Sequence, residues 1–257
     1  MDLQVVLSCD GLSPSKAALV HESGLNWRIR RDREGPFIEC YHPPSSRVLA
    51  LAVARDGFRR YEVTFDGETV EWLSEHAEYP LSRPIPVSLP YPLEQLLVIP
   101  ALARRNGFLM HAAGAAVDGK AFVFAGHSGD GKTTLSRMLA EEGLELLSDE
   151  RIAIRKMNGG FMAYGTPWSG EGRVVSAAEY PLGGVLVLRK GREHRFREES
   201  GSVLAAELLS RSIVPYYFPE ETQRIVALLP ELASKVTLGE LDFALKSGLS
   251  TVLSQIA

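Results

Sequence analysis

The sequence predicts an α/β protein: a small β-rich N-terminal part, then a domain of alternating strands and helices that ends in helices. Three observations carry this. The first eighty residues hold short runs of β-branched and aromatic residues separated by turn residues. Six prolines follow, at Pro80, Pro84, Pro86, Pro90, Pro92 and Pro100, where fixed φ and missing donors resist helix. Beyond them an apolar strand, a glycine-rich loop and a helical pattern follow one another directly. The expected domains are residues 1–92, β-rich, and residues 93–257.

In the first part, Trp27 to Arg31, Pro36 to Tyr41 and Arg47 to Ala54 read as strands. Tyr61 to Phe65 alternates apolar with polar residues. Asp66-Gly67 then predicts a hairpin turn into Glu68 to Trp72. His21, His42 and His76 are isolated, and nothing in this segment carries chemistry. Leu93 to Arg105 has a helical pattern that Pro100 would kink or split.

From Gly107 the chain turns apolar and small. Phe108 to Val117 and Ala121 to Ala125 flank the hairpin signal Asp118-Gly119. A helix is expected over Thr133 to Glu142, stopped by Gly143. Leu144 to Leu147 is a strand ending in Ser148-Asp149-Glu150. Ile152 to Arg155 and Phe161 to Tyr164 flank Asn158-Gly159-Gly160, and Val185 to Leu188 is a further strand. Three helices close the chain, near 202–212, 220–232 and 238–255.

Composition limits the function classes. Hydrophobic residues make up 45% and charged residues 23% of 257, the profile of a folded globular chain. Lys and Arg number 28 against 32 Asp and Glu, a net charge of −4, which disfavours nucleic acid as a partner. Cys9 and Cys40 form no CxxC or zinc pattern and read as buried thiols in a reducing compartment. No apolar run approaches the ~20 residues that span a bilayer. The N-terminus lacks a basic segment followed by an apolar one. The expectation is a cytoplasmic protein with no membrane partner.

Gly126-His127-Ser128-Gly129-Asp130-Gly131-Lys132-Thr133 matches GxxxxGK[ST] in full. Glycines let successive backbone N–H groups face a phosphate, and the following helix directs its first amides at the same anion. Lys132 supplies a positive charge to the β- and γ-phosphates, and Thr133 a hydroxyl for Mg²⁺. Gly126 through Thr134 are therefore the expected nucleotide-binding residues, and ATP with Mg²⁺ the expected cofactors. Asp149 and Glu150, 17 and 18 residues after Lys132, end a short apolar strand. A carboxylate there can hold Mg²⁺ directly or through water. His111 lies among apolar and small residues, the setting of a buried structural histidine. The hairpin through Asp118-Gly119 nevertheless folds it back toward the phosphate-loop end of the ladder.

These residues resemble the HPr kinase/phosphorylase family, whose catalytic domain is related in fold to phosphoenolpyruvate carboxykinase. The order Met110-His111, hairpin, Gly126 to Thr133, helix, Asp149-Glu150 matches that family's order over about residues 107 to 155. The whole chain looks like HPr-kinase-related proteins of bacterial biosynthetic clusters, lasso-peptide kinases included. The resemblance implies a P-loop kinase domain that phosphorylates a serine hydroxyl on a peptide or protein. It implies Mg²⁺ held by Thr133 and Glu150, with Asp149 beside them. Asp149 matches the residue that takes the hydroxyl proton, and His111 the histidine that assists it. The pair here is Asp-Glu where the family has Asp-Asp. A small-molecule kinase on the same core and a nucleotide-binding switch are the alternatives, and a homo-oligomer is compatible with all three.

Two further stretches are substrate-side candidates. Gly165 to Gly172 packs glycines, a proline and Trp168 into a loop, with Ser169 and Glu171 as polar contacts. Trp168 reads equally as an aromatic platform or as core. Arg189 to Arg197 is locally basic, a solvated hairpin or a grip for a phosphate or acidic peptide. Arg189, at the strand end, is its best-placed residue.

Overall fold

A computed structural model describes residues 3–8, 12, 17–68, 92–199 and 202–257, and the side chains of the last segment from residue 206. The chain divides into two compact units. One comprises residues up to Arg104 together with Tyr216–Phe218; the other comprises Arg105–Pro215 and Pro219–Ala257.

The first unit is a six-stranded sheet. Its strands are β1 (Gln4–Ser8), β2 (Ala18–Glu22), β3 (Trp27–Arg31), β4 (Pro36–His42), β5 (Arg47–Arg55) and β6 (Arg60–Phe65), in the order β1-β6-β5-β4-β3-β2. All neighbours are antiparallel except β1 and β6. Along β6 burial alternates residue by residue, with Tyr61, Val63 and Phe65 on the core side. Helix α1 (Leu93–Ala103) runs unbroken through Pro100. Its Leu93, Leu96, Leu97 and Ala101 join Ile29, Ile38 and Phe218 in one core, and the Tyr61 hydroxyl donates to the Leu97 carbonyl at 2.9 Å. This apolar face is why the compact units part after Arg104, twelve residues beyond the expected boundary at residue 92. Burial pushes the Cys40 thiol up to about 12, so it is an inert core residue.

Two expectations fail or go unseen here. Gly67 and Glu68 take helical geometry where the sequence predicts a tight turn and the start of a strand. The rest of the predicted second strand lies outside the described residues, as do Cys9, His76 and the prolines from 80 to 90. The sequence reading also missed β1 and β2.

The second unit is built on a nine-stranded sheet. Strands β7 (Gly107–Val117), β8 (Lys120–Ala125), β9 (Leu146–Ser148), β10 (Arg151–Met157), β11 (Gly160–Tyr164), β12 (Glu179–Lys190), β13 (Arg195–Glu198), β14 (Ser212–Ile213) and β15 (Thr237–Phe243) make it up. The main order is β11-β10-β7-β8-β12-β15-β13, with β9 and β14 also on β7. Strand β11 pairs with β12 as well as β10, so this part of the sheet closes on itself. The β7–β8 hairpin turns through Asp118 and Gly119, both with positive φ, as the sequence predicts. Helices α2 (Lys132–Glu141), α3 (Ser202–Arg211), α4 (Pro219–Ala233) and α5 (Leu249–Ser254) complete the unit. Leu135 and Leu139 of α2 and Leu249 and Leu253 of α5 bury against Phe122, Phe124, Leu186 and Leu241.

The third predicted C-terminal helix is wrong over its first half. Thr237–Phe243 is strand β15, parallel to β12, and only Leu249–Ser254 is helical. Gly239 shows the physical reason: a Cβ there would stand 2.1 Å from the Arg197 carbonyl oxygen, the close approach of paired strands. Among the described residues no helix is long and apolar enough to cross a membrane.

Candidate active site

Strand β7 organises the site. Its residues Ala112 to Val117 pair with β8, and Arg151 of β10 lies opposite His111. Ala112 faces Ala125, so His111 stands one residue beyond the point where β8 gives way to the phosphate loop. Strand β9 is antiparallel to β7 and therefore parallel to β8. Asp149 and Glu150 thus emerge at the same sheet edge as the loop.

Within the loop, Gly129 and Gly131 have φ of +86° and +99°, conformations that glycine adopts without strain. The Asp130 carboxylate turns inward and accepts the His127 amide at 2.5 Å. The Lys132 ammonium donates to the carbonyls of Gly126 and His127, both at 3.0 Å. Burial holds Lys132 below the usual lysine range, against the opposing charges of Glu150 and Asp130. Helix α2 starts at Lys132 with no side-chain cap, leaving its first amides to a ligand.

A cavity of about 480 Å³ lies over this loop. Ser128, Gly129, Gly131, Lys132, Thr133 and Thr134 form one wall; His111, Asp149, Glu150 and Glu171 form the other. His111 Nδ1 stands 3.5 Å from Glu150 Oε1, so its carboxylate neighbour is Glu150 and not the Asp149 expected from the sequence. Burial, then the Lys132 charge, holds the His111 imidazole below its ordinary value, and Glu150 only partly opposes them. Arg151 Nη2 is 3.6 Å from the same Glu150 oxygen.

Asp149 is engaged differently. It is 1% exposed, and its carboxylate accepts the amides of Gly170 at 2.9 Å, Gly172 at 2.6 Å and Val174 at 3.3 Å. Ser148 Oγ accepts the amides of Glu150 and Arg151, each at 3.2 Å, and turns the chain at the acidic pair. Two adjacent carboxylates are thereby sent to different partners, one into a loop and one toward His111.

Among the described residues no group of three or more His, Cys, Asp or Glu can hold a metal by itself. Thr133 and Glu150 across one cavity still fit Mg²⁺, which takes few protein ligands and completes its shell with phosphate oxygens and water.

No family model and no curated protein matches the chain. Among solved structures, the chain is similar to the Hpr(Ser) kinase/phosphatase from Coxiella burnetii. The match covers 58% of this chain and 87% of that one, at 12% identity and a TM-score of 0.34. So loose a likeness assigns no role to any residue.

Of the sequence-predicted residues, the loop from Ser128 to Thr134, His111, Asp149, Glu150 and Glu171 meet at or beside the cavity, with Asp130 folded inward. The Gly126 and His127 carbonyls back it through Lys132. Arg189 is taken up elsewhere: it pairs with Glu240 at 2.7 Å and Glu207 at 2.8 Å, a brace between β12, β15 and α3. The Trp168 carbonyl lies 3.4 Å from Ser148 Oγ, and Ser169 is exposed. No sequence signal marks the meeting of Gly170, Gly172 and Val174 with Asp149, because partners of backbone amides leave no periodicity.

Proposed function

We propose that this chain is an ATP- and Mg²⁺-dependent kinase acting on a hydroxyl, that of a serine in a peptide or protein. One observation supports it above the rest: a single cavity joins a glycine-turned loop with its lysine to the His111 imidazole and the Glu150 carboxylate beside it. The loop amides and Lys132 bind the ATP phosphates. Thr133 and Glu150 would hold Mg²⁺, which would supply charge neutralisation on the transferring group. The acceptor oxygen bonds to the γ-phosphorus as the bond to the β–γ bridging oxygen breaks, and ADP leaves with that electron pair. The hydroxyl proton passes to His111. The sequence reading put that proton on Asp149; three amides on the Asp149 carboxylate favour His111 instead. Glu171, on the cavity wall away from the glycine loop, is exposed, which favours a hydroxyl carried on a chain over an enclosed small molecule.

The test is phosphate transfer from ATP·Mg²⁺ to serine-containing peptides, read by mass spectrometry, with free serine and glycerol as small acceptors. Phosphopeptide that is lost in His111→Gln, with ATP affinity within a few-fold of wild type, supports the proposal. A general base contributes about 10²- to 10⁴-fold, so the loss should be of that order. Phosphorylation of the small acceptors alone selects the small-molecule reading. ATP binding without any transfer selects the nucleotide switch.

A further inference from the structure

Asp149 has a geometry that a proton acceptor does not need. Its carboxylate is buried, and three backbone amides from one loop converge on it: Gly170, Gly172 and Val174. An ionised carboxylate offers about four lone-pair positions, so most of its accepting capacity is spent within the loop. The loop is shaped to reach it. A Cβ on Gly172 would stand 2.5 Å from Asp149 Oδ2, and one on Gly170 would stand 3.1 Å from the same oxygen. A side chain at position 172 would therefore collide with the anion, and one at position 170 would crowd it. Arg173 closes the turn, its amide donating to the Gly170 carbonyl at 3.1 Å with φ of +54°. Glu171 lies between the two clamped glycines and reaches the cavity wall.

We infer that Asp149 is a positioning residue: its buried carboxylate is the anion around which Gly170–Val174 folds, and through that loop it sets where Glu171 stands on the cavity wall. The inference rests on the kinase reading for its effect on ADP formation, but not for the clamp itself. Asp149→Asn keeps the shape of the side chain yet turns one acceptor into an NH₂ group facing an amide donor. Gly172→Ala keeps the carboxylate and forces the loop away from it.

Hydrogen exchange on the full chain without nucleotide reads the clamp directly. Hydrogen bonds to a charged group are stronger than neutral ones, so Asp149→Asn should speed exchange at residues 170–174 by at least about tenfold. Gly172→Ala should do the same. The double variant should exchange no faster than the faster single one, because both act on one contact. ADP formation from ATP·Mg²⁺ should follow the same pattern, falling in each single variant and no further in the double, with ATP·Mg²⁺ affinity within threefold of wild type. Unchanged exchange in Asp149→Asn overturns the clamp, even if a variant is less stable overall. Losses in ADP formation that multiply in the double variant return Asp149 to the proton-accepting role. Wild type that binds no ATP·Mg²⁺ defeats the kinase reading instead, and leaves the exchange result standing.

Discussion

Two glycine-rich loops of the second unit use the same chemistry in opposite directions. In Gly126–Thr133 the backbone turns outward, its lysine is held by two of its own carbonyls, and the first amides of α2 face open space. In Gly165–Val174 the amides turn inward and are consumed by an aspartate of the same chain. The glycines differ accordingly. Gly129 has φ of +86° and nothing within 4 Å of a built Cβ, so it is there for its backbone angle. A Cβ on Gly165 would stand 2.4 Å from the Ser176 carbonyl oxygen and 2.7 Å from that of Leu147, so it is there for space. A run of glycines thus turns its amides outward in one loop and inward around a carboxylate in the other; what separates them is the presence of a buried carboxylate within reach.

The largest effect should come from emptying the outward loop of its charge. Lys132→Ala should weaken ATP·Mg²⁺ by about 10²-fold, the size of one or two charge-assisted hydrogen bonds. Isothermal titration of both proteins checks it, and equal affinities would remove the phosphate-binding assignment. Next come the two glycines. Gly165→Ala inserts a methyl against two backbone oxygens and should cost about 1–3 kcal/mol or more, whereas Gly129→Ala should cost about 1 kcal/mol through its angle alone. Urea unfolding midpoints at constant slope measure both, and the reverse ranking would erase the distinction between angle and space.

The smallest effect belongs to a third carboxylate with amide partners. Glu142 accepts the amides of Gly248 at 2.8 Å, Leu249 at 3.2 Å and Ser250 at 2.7 Å, capping α5 where the N-cap is a glycine. Burial pushes Glu142 up, but the Ser250 hydroxyl and these amides outweigh it and hold the carboxyl below the usual range. Its folded value is depressed, so its contribution is full above the unfolded value and is lost as pH falls through the lower folded one. Glu142→Gln should destabilise the chain by about 0.5–1 kcal/mol at neutral pH, the low end for a cap because the site is partly exposed. The difference from wild type should shrink below pH 4.5, the ordinary glutamate value. A difference that stays constant from pH 7 to pH 3.5 would show that the cap works without its charge.

Much of the cavity was legible because its parts are local. The GxxxxGK[ST] run, the Asp118-Gly119 turn and the short strand into Asp149 each announce themselves within a few residues, and strand pairing then puts His111 at the loop. What was misread depends on distant partners. Leu238, Leu241 and Leu245 recur at helical spacing while Leu241 and Phe243 alternate as on a strand, and only pairing with β12 decides; Gly239 was the available warning. Arg189 looked free because Glu207 and Glu240 lie 18 and 51 residues away. His111 meets Glu150 because the chain turns at Ser148, a side-chain hydrogen bond that no pattern encodes.

The closure of β11 onto β12 has a consequence for how this protein can vary. Tyr164 faces Glu179, and the Gly165 amide donates to the Ala178 carbonyl at 3.0 Å, so both ends of the loop that wraps Asp149 are pinned. A segment fixed at its two feet can change length without moving the sheet. Doubling it costs only about 0.6 kcal/mol in closure entropy. The phosphate loop has no such freedom, since Gly131 is wedged against the Phe243 ring and a built Cβ would stand 2.5 Å from it. Insertions and deletions are therefore cheaper between those feet, outside Gly170–Val174, than beside Gly131.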